Sequence, residues 1–207
     1  QASGVDTISG TTISSGAAIS AMDAAYKAFS EKALGVVIVE LTFEEKVAEY
    51  FGKEVLEQCD EEALIENLQA IRKYAGDRAV LRAYHFFEEN KRVDKEVAAL
   101  ESKDFPTFLN TITASGDSSW KYLQNCYLNE TPDEQSITVA LTLTKYYLDK
   151  IGAGVCRVHG GGFAGVIAAF LPKEHTEGFV AYLDRVMGPG NAHVIHVRPQ
   201  GAVKVEF

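Results

Sequence analysis

The spacing of apolar residues changes character once along this chain, at Gly152 to Gly154. That change restricts it to folds in which a helical body is followed by a short β-containing unit. Before it, apolar residues recur at helical spacing. Leu64, Leu68, Ile71 and Ala75 share one face, Val80, Tyr84 and Phe87 another, and Val93, Val97 and Leu100 a third, with Gly76 and Asp77 separating the first set from the others. Phe105, Phe108, Leu109 and Ile112 mark a further helix expected to break at Gly116, after which Trp120, Leu123 and Tyr127 continue at similar spacing. Thr131, Pro132 and Glu134 then read as an N-cap, a first-turn proline and the carboxylate of a capping box. That helix turns Ile137, Leu141, Thr144 and Leu148 inward and ends near Lys150, before Gly152.

Beyond Gly154 the segments shorten. Val155 to Val158 and Val166 to Leu171 read as strands, and Phe179, Leu183 and Val186 as a helix stopped by Gly188-Pro189-Gly190. His193 to Arg198 is a further strand candidate, and Val203, Val205 and Phe207 alternate with polar or small neighbours as in another. Helices followed by a small strand, strand, helix, strand, strand unit predict an α+β fold, a helical segment joined to a small antiparallel sheet, rather than a doubly wound parallel one. The first thirty residues differ in composition: they are rich in Ser, Thr, Gly and Ala and almost without charge, and Ile19, Met22, Tyr26 and Phe29 are spaced for one amphipathic helix. The expected organisation is therefore a tail over 1–30, a junction over 31–45 holding a brief strand at Val36 to Val39, and a main domain over 46–207.

Charge and cysteine usage exclude some functions. A net charge of −9 with no basic cluster argues against a nucleic-acid partner. The longest nearly apolar stretch, Phe163 to Leu171, is too short to span a bilayer, so no transmembrane anchor is expected. Cys59, Cys126 and Cys156 are odd in number and in no metal-binding spacing, which suits a reducing, cytoplasmic compartment. The chain opens at Gln1 without a leader pattern, which suggests a processed product or a piece of something longer.

Gly160-Gly161-Gly162-Phe163-Ala164-Gly165 follows the first strand candidate and formally satisfies GxGxxG. No long helix follows it, so a dinucleotide fold is disfavoured. Three successive glycines still permit positive φ and leave backbone N–H groups uncovered, as a phosphate cradle requires, although a tight strand connection needs the same freedom. The only Gly-Lys pair, Gly52-Lys53, is followed by Glu54, which rules out a Walker loop. The five histidines form no HExxH pattern, no serine lies in GxSxG, and Cys156 in an apolar strand reads as an inert core thiol. No catalytic or metal-binding residue is assigned from these patterns.

Three segments carry a more specific signal: Glu89-Asn90-Lys91-Arg92-Val93, then Ser115-Gly116-Asp117-Ser118-Ser119-Trp120 continuing to Gln124-Asn125, then Gly154-Val155-Cys156-Arg157-Val158-His159 leading into the glycine run. In that order they resemble the C-terminal half of the galactokinases, members of the GHMP small-molecule kinases. The likeness runs from about Lys46 to the end and includes Arg198-Pro199-Gln200-Gly201 as the family's closing strand. It implies a two-domain α+β fold that transfers the γ-phosphoryl of Mg-ATP to the anomeric hydroxyl of galactose in a cleft between the halves. By the same resemblance Gly160, Gly161, Gly162, Phe163 and Gly165 line that cleft; Ala164 stands where a glycine is common and His159 where a small hydroxyl residue is common. The family's sugar-recognition motif, its Gly-Leu-Ser-Ser-Ser phosphate loop and its catalytic aspartate belong to the N-terminal half and have no counterpart in this sequence. The chain is therefore expected not to turn over without that half.

Asp6-Thr7-Ile8-Ser9-Gly10-Thr11-Thr12 and the helix that follows resemble the end of the FMN-binding domains of bacterial redox-pump subunits. That likeness implies a flavin esterified through its phosphate to Thr12, with Thr11 in place of the usual alanine. It covers only about thirty residues and implies attachment outside the cytoplasm, where galactokinases do not work. A Ser/Thr-rich loop capping a helix is the simpler reading of the same residues.

Overall fold

The computed structural model of the chain describes residues 41–162 and 165–195. Thr12, the tail helix, the strand candidates at Val36 to Val39 and Val203 to Phe207, the Arg198-Pro199-Gln200-Gly201 segment, Phe163 and Ala164 lie outside the described residues. His193 to Ile195, the described start of the other late strand candidate, are not in a strand.

Seven helices and one hairpin account for the regular structure described. They are α1 (Phe43–Tyr50), α2 (Glu61–Glu66), α3 (Leu68–Ala75), α4 (Asp77–Glu101), α5 (Phe105–Ser118), α6 (Ser136–Ile151), β1 (Val155–Val158), β2 (Ile167–Phe170) and α7 (Thr176–Met187), with short 3₁₀ turns at Leu56–Gln58 and Lys173–His175. This is an α+β fold, and no helix among the described residues is long and apolar enough to cross a membrane.

Local chemistry sets several boundaries. Helix α1 begins inside the expected junction: Thr42 and Glu45 form a reciprocal capping box, Glu45 N–H donating to Thr42 Oγ1 at 3.2 Å and Thr42 N–H to Glu45 Oε2 at 2.7 Å. Asp60 and Asp104 cap α2 and α5 by accepting from Ala63 N (2.9 Å) and Thr107 N (3.1 Å). Gly76, at φ 88°, separates α3 from α4, and Gly152, at φ 68°, ends α6.

Two further expectations fail. Thr131, Pro132 and Glu134 do not open α6: they form a turn closed by Glu134 N–H to Thr131 O at 3.0 Å, and α6 starts at Ser136 with no side-chain cap. Proline before aspartate suits the turn as well as it suits a helix start, and here the turn wins. Gly116 does not break its helix either; α5 runs through it to Ser118 and continues as a π-helical turn over Ser119–Leu123. Gly116 serves close approach instead, since a Cβ there would meet Arg157 Cβ at 2.9 Å. Val93, Val97 and Leu100 lie on α4 as expected, and that face is about half exposed (49–50%).

Two apolar cores result. Val47, Leu56, Leu64, Ile71, Ala79, Val80 and Ala83 knit α1 to α4 together. Cys126, Ile137, Ala140, Val158, Ile167, Phe179 and Leu183 join α6 and α7 to the hairpin. The hairpin is antiparallel with Val155 opposite Phe170 and Val158 opposite Ile167. Alternation along β1 sends Val158 into the α6/α7 core and Arg157 toward α4 and α5, while Phe170, from the same face as Arg157, meets Phe108 of α5 edge-on at 5.9 Å. The hairpin is thus sandwiched between two helical layers.

Candidate functional site

Between the two cores, beside the Phe108–Phe170 contact, lies a polar cluster built from the three segments singled out in the sequence. Arg157, on β1, donates from Nε to its neighbour's carbonyl, Val158 O, at 2.9 Å, and from Nη1 to Glu89 Oε1 of α4 at 3.2 Å and to Ser115 Oγ of α5. Ser115 Oγ in turn donates to Glu89 Oε1, and Arg92 Nε donates to the other carboxylate oxygen at 2.7 Å. Arg92 Nη2 continues to Ser118 Oγ at 2.7 Å, and Ser118 lies 2.9 Å from His85 Nδ1. One chain of hydrogen bonds therefore links α4, α5 and β1 and ends at the carbonyl two residues before the glycine run.

The charges are matched to this wiring. Burial pushes the Glu89 carboxyl upward, but hydrogen bonds from Ser115 and Arg92 and the charges of Arg157 and Arg92 outweigh it and hold the group below its usual range. Burial raises Glu96, one turn-pair further along α4, with Arg157 opposing that shift and Glu89 adding to it. Ser118 Oγ accepts from Arg92 and shares a second hydrogen bond with His85 Nδ1, whose direction follows the imidazole tautomer. Ser118 and His85 are 3% and 8% exposed, so this Ser–His pair is closed to a substrate and holds the helices together.

Burial moves His85 below its ordinary range; Glu89 pulls it back, and Arg92, Arg157 and Arg82 push it further down. The unfolded imidazole takes up its proton first as pH falls below about 6.5, so stability is lost with falling pH from there until the folded pKa is reached. Urea unfolding at pH 7.5 and 5.5 is expected to show this loss in the wild-type chain and a smaller loss in His85→Gln; equal losses would remove His85 from the account.

The glycine run sits directly beyond this network. Gly160 and Gly162 take φ of 67° and 73°, whereas Gly161 lies outside the positive-φ region. None of the three N–H groups is hydrogen-bonded among the described residues. Around Gly160 and Gly161 an added Cβ would meet nothing within 4 Å, so that side of the turn is open. Gly162 is the opposite case, because a Cβ there would strike the Asn125 carbonyl and side chain. Asn125 is 1% exposed, its Nδ2 has no partner among the described residues, and it follows Gln124, whose left-handed conformation (φ 55°) ends the π-helical turn. Arg78 and Arg82 hold that end by donating to Gln124 O and Leu123 O, each at 3.3 Å. Gly165, at φ 96°, leads into β2.

What the turn offers is three N–H donors without a partner among the described residues. No group of three His, Cys, Asp or Glu among the described residues could hold a metal. Burial pushes the Cys126 and Cys156 thiols up to about 11, which suits the reading of Cys156 as an unreactive thiol. Of the candidate residues, Gly160, Gly161, Gly162 and Gly165 are placed together at the hairpin. Glu89, Arg92, Ser115, Ser118 and Arg157, which support them, were legible only as members of the resembling segments. No family model matches the chain, and no curated protein matches it.

Proposed function

We propose that this chain is the C-terminal half of a galactokinase-type GHMP kinase, in which Gly160, Gly161 and Gly162 form a phosphate-facing wall of half a cleft for galactose and Mg-ATP. The observation that carries this reading is the convergence of the three resembling segments. Although Glu89, Ser115 and Arg157 are far apart in sequence, they share one hydrogen-bonded cluster, and Gly162 rests on Asn125 at the end of the middle segment.

In this reading the chain's own residues bind and orient. The backbone N–H groups of the glycine turn receive phosphate oxygens, and the Arg157–Glu89–Ser115 cluster keeps the strand leading into that turn in place. The nucleophile-orienting group and the metal ligands come from the N-terminal half, so ATP would supply its phosphoryl group only in the assembled enzyme.

The test is an amide-resolved NMR titration of the full chain with ADP, with adenosine as control, alongside an ATPase assay with galactose. ADP is expected to shift the Gly160, Gly161 and Gly162 amides while adenosine does not, and galactose is expected to elicit no ATP hydrolysis. Galactose-dependent hydrolysis by the chain alone, or ADP shifts confined to other residues, would overturn the reading.

A further inference from the structure

A second hollow, of about 570 Å³, opens between α6 and α7, and none of its walls comes from the three segments described above. Tyr146, Tyr147 and Tyr182 line it, with Lys150 and Arg185 among the lining residues and Gly178 in its wall. The absence of a side chain at Gly178 is what admits Tyr147: a Cβ there would lie 2.8 Å from the Tyr147 hydroxyl. The Tyr147 ring is packed 5.2 Å from Tyr182 and 5.3 Å from Phe179, and its hydroxyl donates to His175 O at 3.4 Å, so one aromatic wall is held in place.

The charges in this hollow run against the rest of the molecule. In a chain of net charge −9, its lining among the described residues holds two cations and no carboxylate. Lys150 Nζ stands 4.4 Å from the Tyr146 ring centroid and the Arg185 guanidinium 5.7 Å from that of Tyr182, and neither has an ion pair among the described residues. The carboxylates next to them in sequence are turned to other partners: Asp149 to Lys145 at 2.8 Å and Asp184 to Gly190 N–H at 3.1 Å. Tyrosine faces supply stacking surface for a flat ring, and two cations resting on those faces supply the counter-charge for an anion attached to it.

We propose that this hollow binds a small aromatic anion, the ring lying against the tyrosines and the anionic group between Lys150 and Arg185. The proposal is independent of the kinase reading, because it uses a different face of the chain.

Phenyl phosphate, phenol and inorganic phosphate, each titrated into the full chain and followed at the Gly178, Lys150 and Arg185 amides, separate the contributions. Phenyl phosphate is expected to give saturable shifts there with an affinity at least about tenfold above that of either fragment. The surface variant Lys150→Gln/Arg185→Gln is expected to lose about tenfold in phenyl phosphate affinity while leaving phenol unchanged. Inorganic phosphate binding as well as phenyl phosphate would reduce the site to two surface cations, and phenol binding as well would reduce it to an apolar hollow. No saturable shift, or shifts only at Gly160 to Gly162, would likewise overturn the proposal.

Discussion

Replacing Glu89 with alanine is expected to lower the stability of the fold by about 3 kcal/mol, the range in which breaking a buried ion pair leaves its partner uncompensated. Glu89 accepts from Ser115, Arg157 and Arg92, and the side chains of Arg157 and Arg92 are only 20% and 13% exposed. Without the carboxylate, Arg157 loses its ion-pair partner and Arg92 keeps only Glu88, at 3.8 Å, while both guanidinium groups remain short of full hydration. Residual solvent contact keeps the expected loss at the lower end of that range. Urea unfolding of the wild type, Glu89→Ala and the double variant Glu89→Leu/Arg157→Met makes the comparison. The double variant removes both members of the pair and is expected to recover part of the loss. If Glu89→Ala shifts the midpoint no more than an exposed control such as Glu62→Ala, the cluster has no structural weight. Because Glu89 is held below its ordinary range, its contribution is present above the unfolded carboxylate pKa and disappears as pH falls through the folded one.

Gly162→Ala is expected to be the most damaging substitution in the glycine turn. A left-handed backbone costs a non-glycine residue about 1–2 kcal/mol, and overpacking a filled site adds about 1–3 kcal/mol. Gly162 incurs both, at φ 73° with Asn125 backbone and side chain where the Cβ would go. Gly160, at φ 67° with nothing within 4 Å, incurs only the first. Thermal unfolding of Gly160→Ala and Gly162→Ala is therefore expected to order them clearly, Gly162→Ala lower. The same pair of variants tests the turn's chemistry. Gly160→Ala incurs only the backbone cost and places a methyl group beside N–H groups that have no partner among the described residues, so its ADP-induced shifts are expected to weaken. Equal stability of the two variants would mean that Asn125 yields to the added methyl group and that the close packing imposes no constraint.

Helical spacing located most of the long elements, and Val155 to Val158 and the Gly152 and Gly188 stops match the structure. Errors arose where one residue type serves two local structures. Proline and aspartate after Thr131 satisfy both a helix start and a turn, and Gly116 was read as a breaker although its missing side chain serves packing against Arg157. The second ambiguity cannot be resolved within a short window, because Arg157 lies far along the chain from Gly116.

By itself, the sequence determined what is encoded in neighbouring residues: the α+β order, the amphipathic faces, the glycine run and its freedom to take positive φ. Only the tertiary structure decided which glycine is filled and which is open. It also decided that Arg157 turns toward Glu89 and Ser115 rather than toward solvent, and that Ser118 and His85 are sealed. Those outcomes depend on how α4, α5 and β1 pack around one another, and the spacing of residues along a single strand or helix carries no information about what stands opposite it.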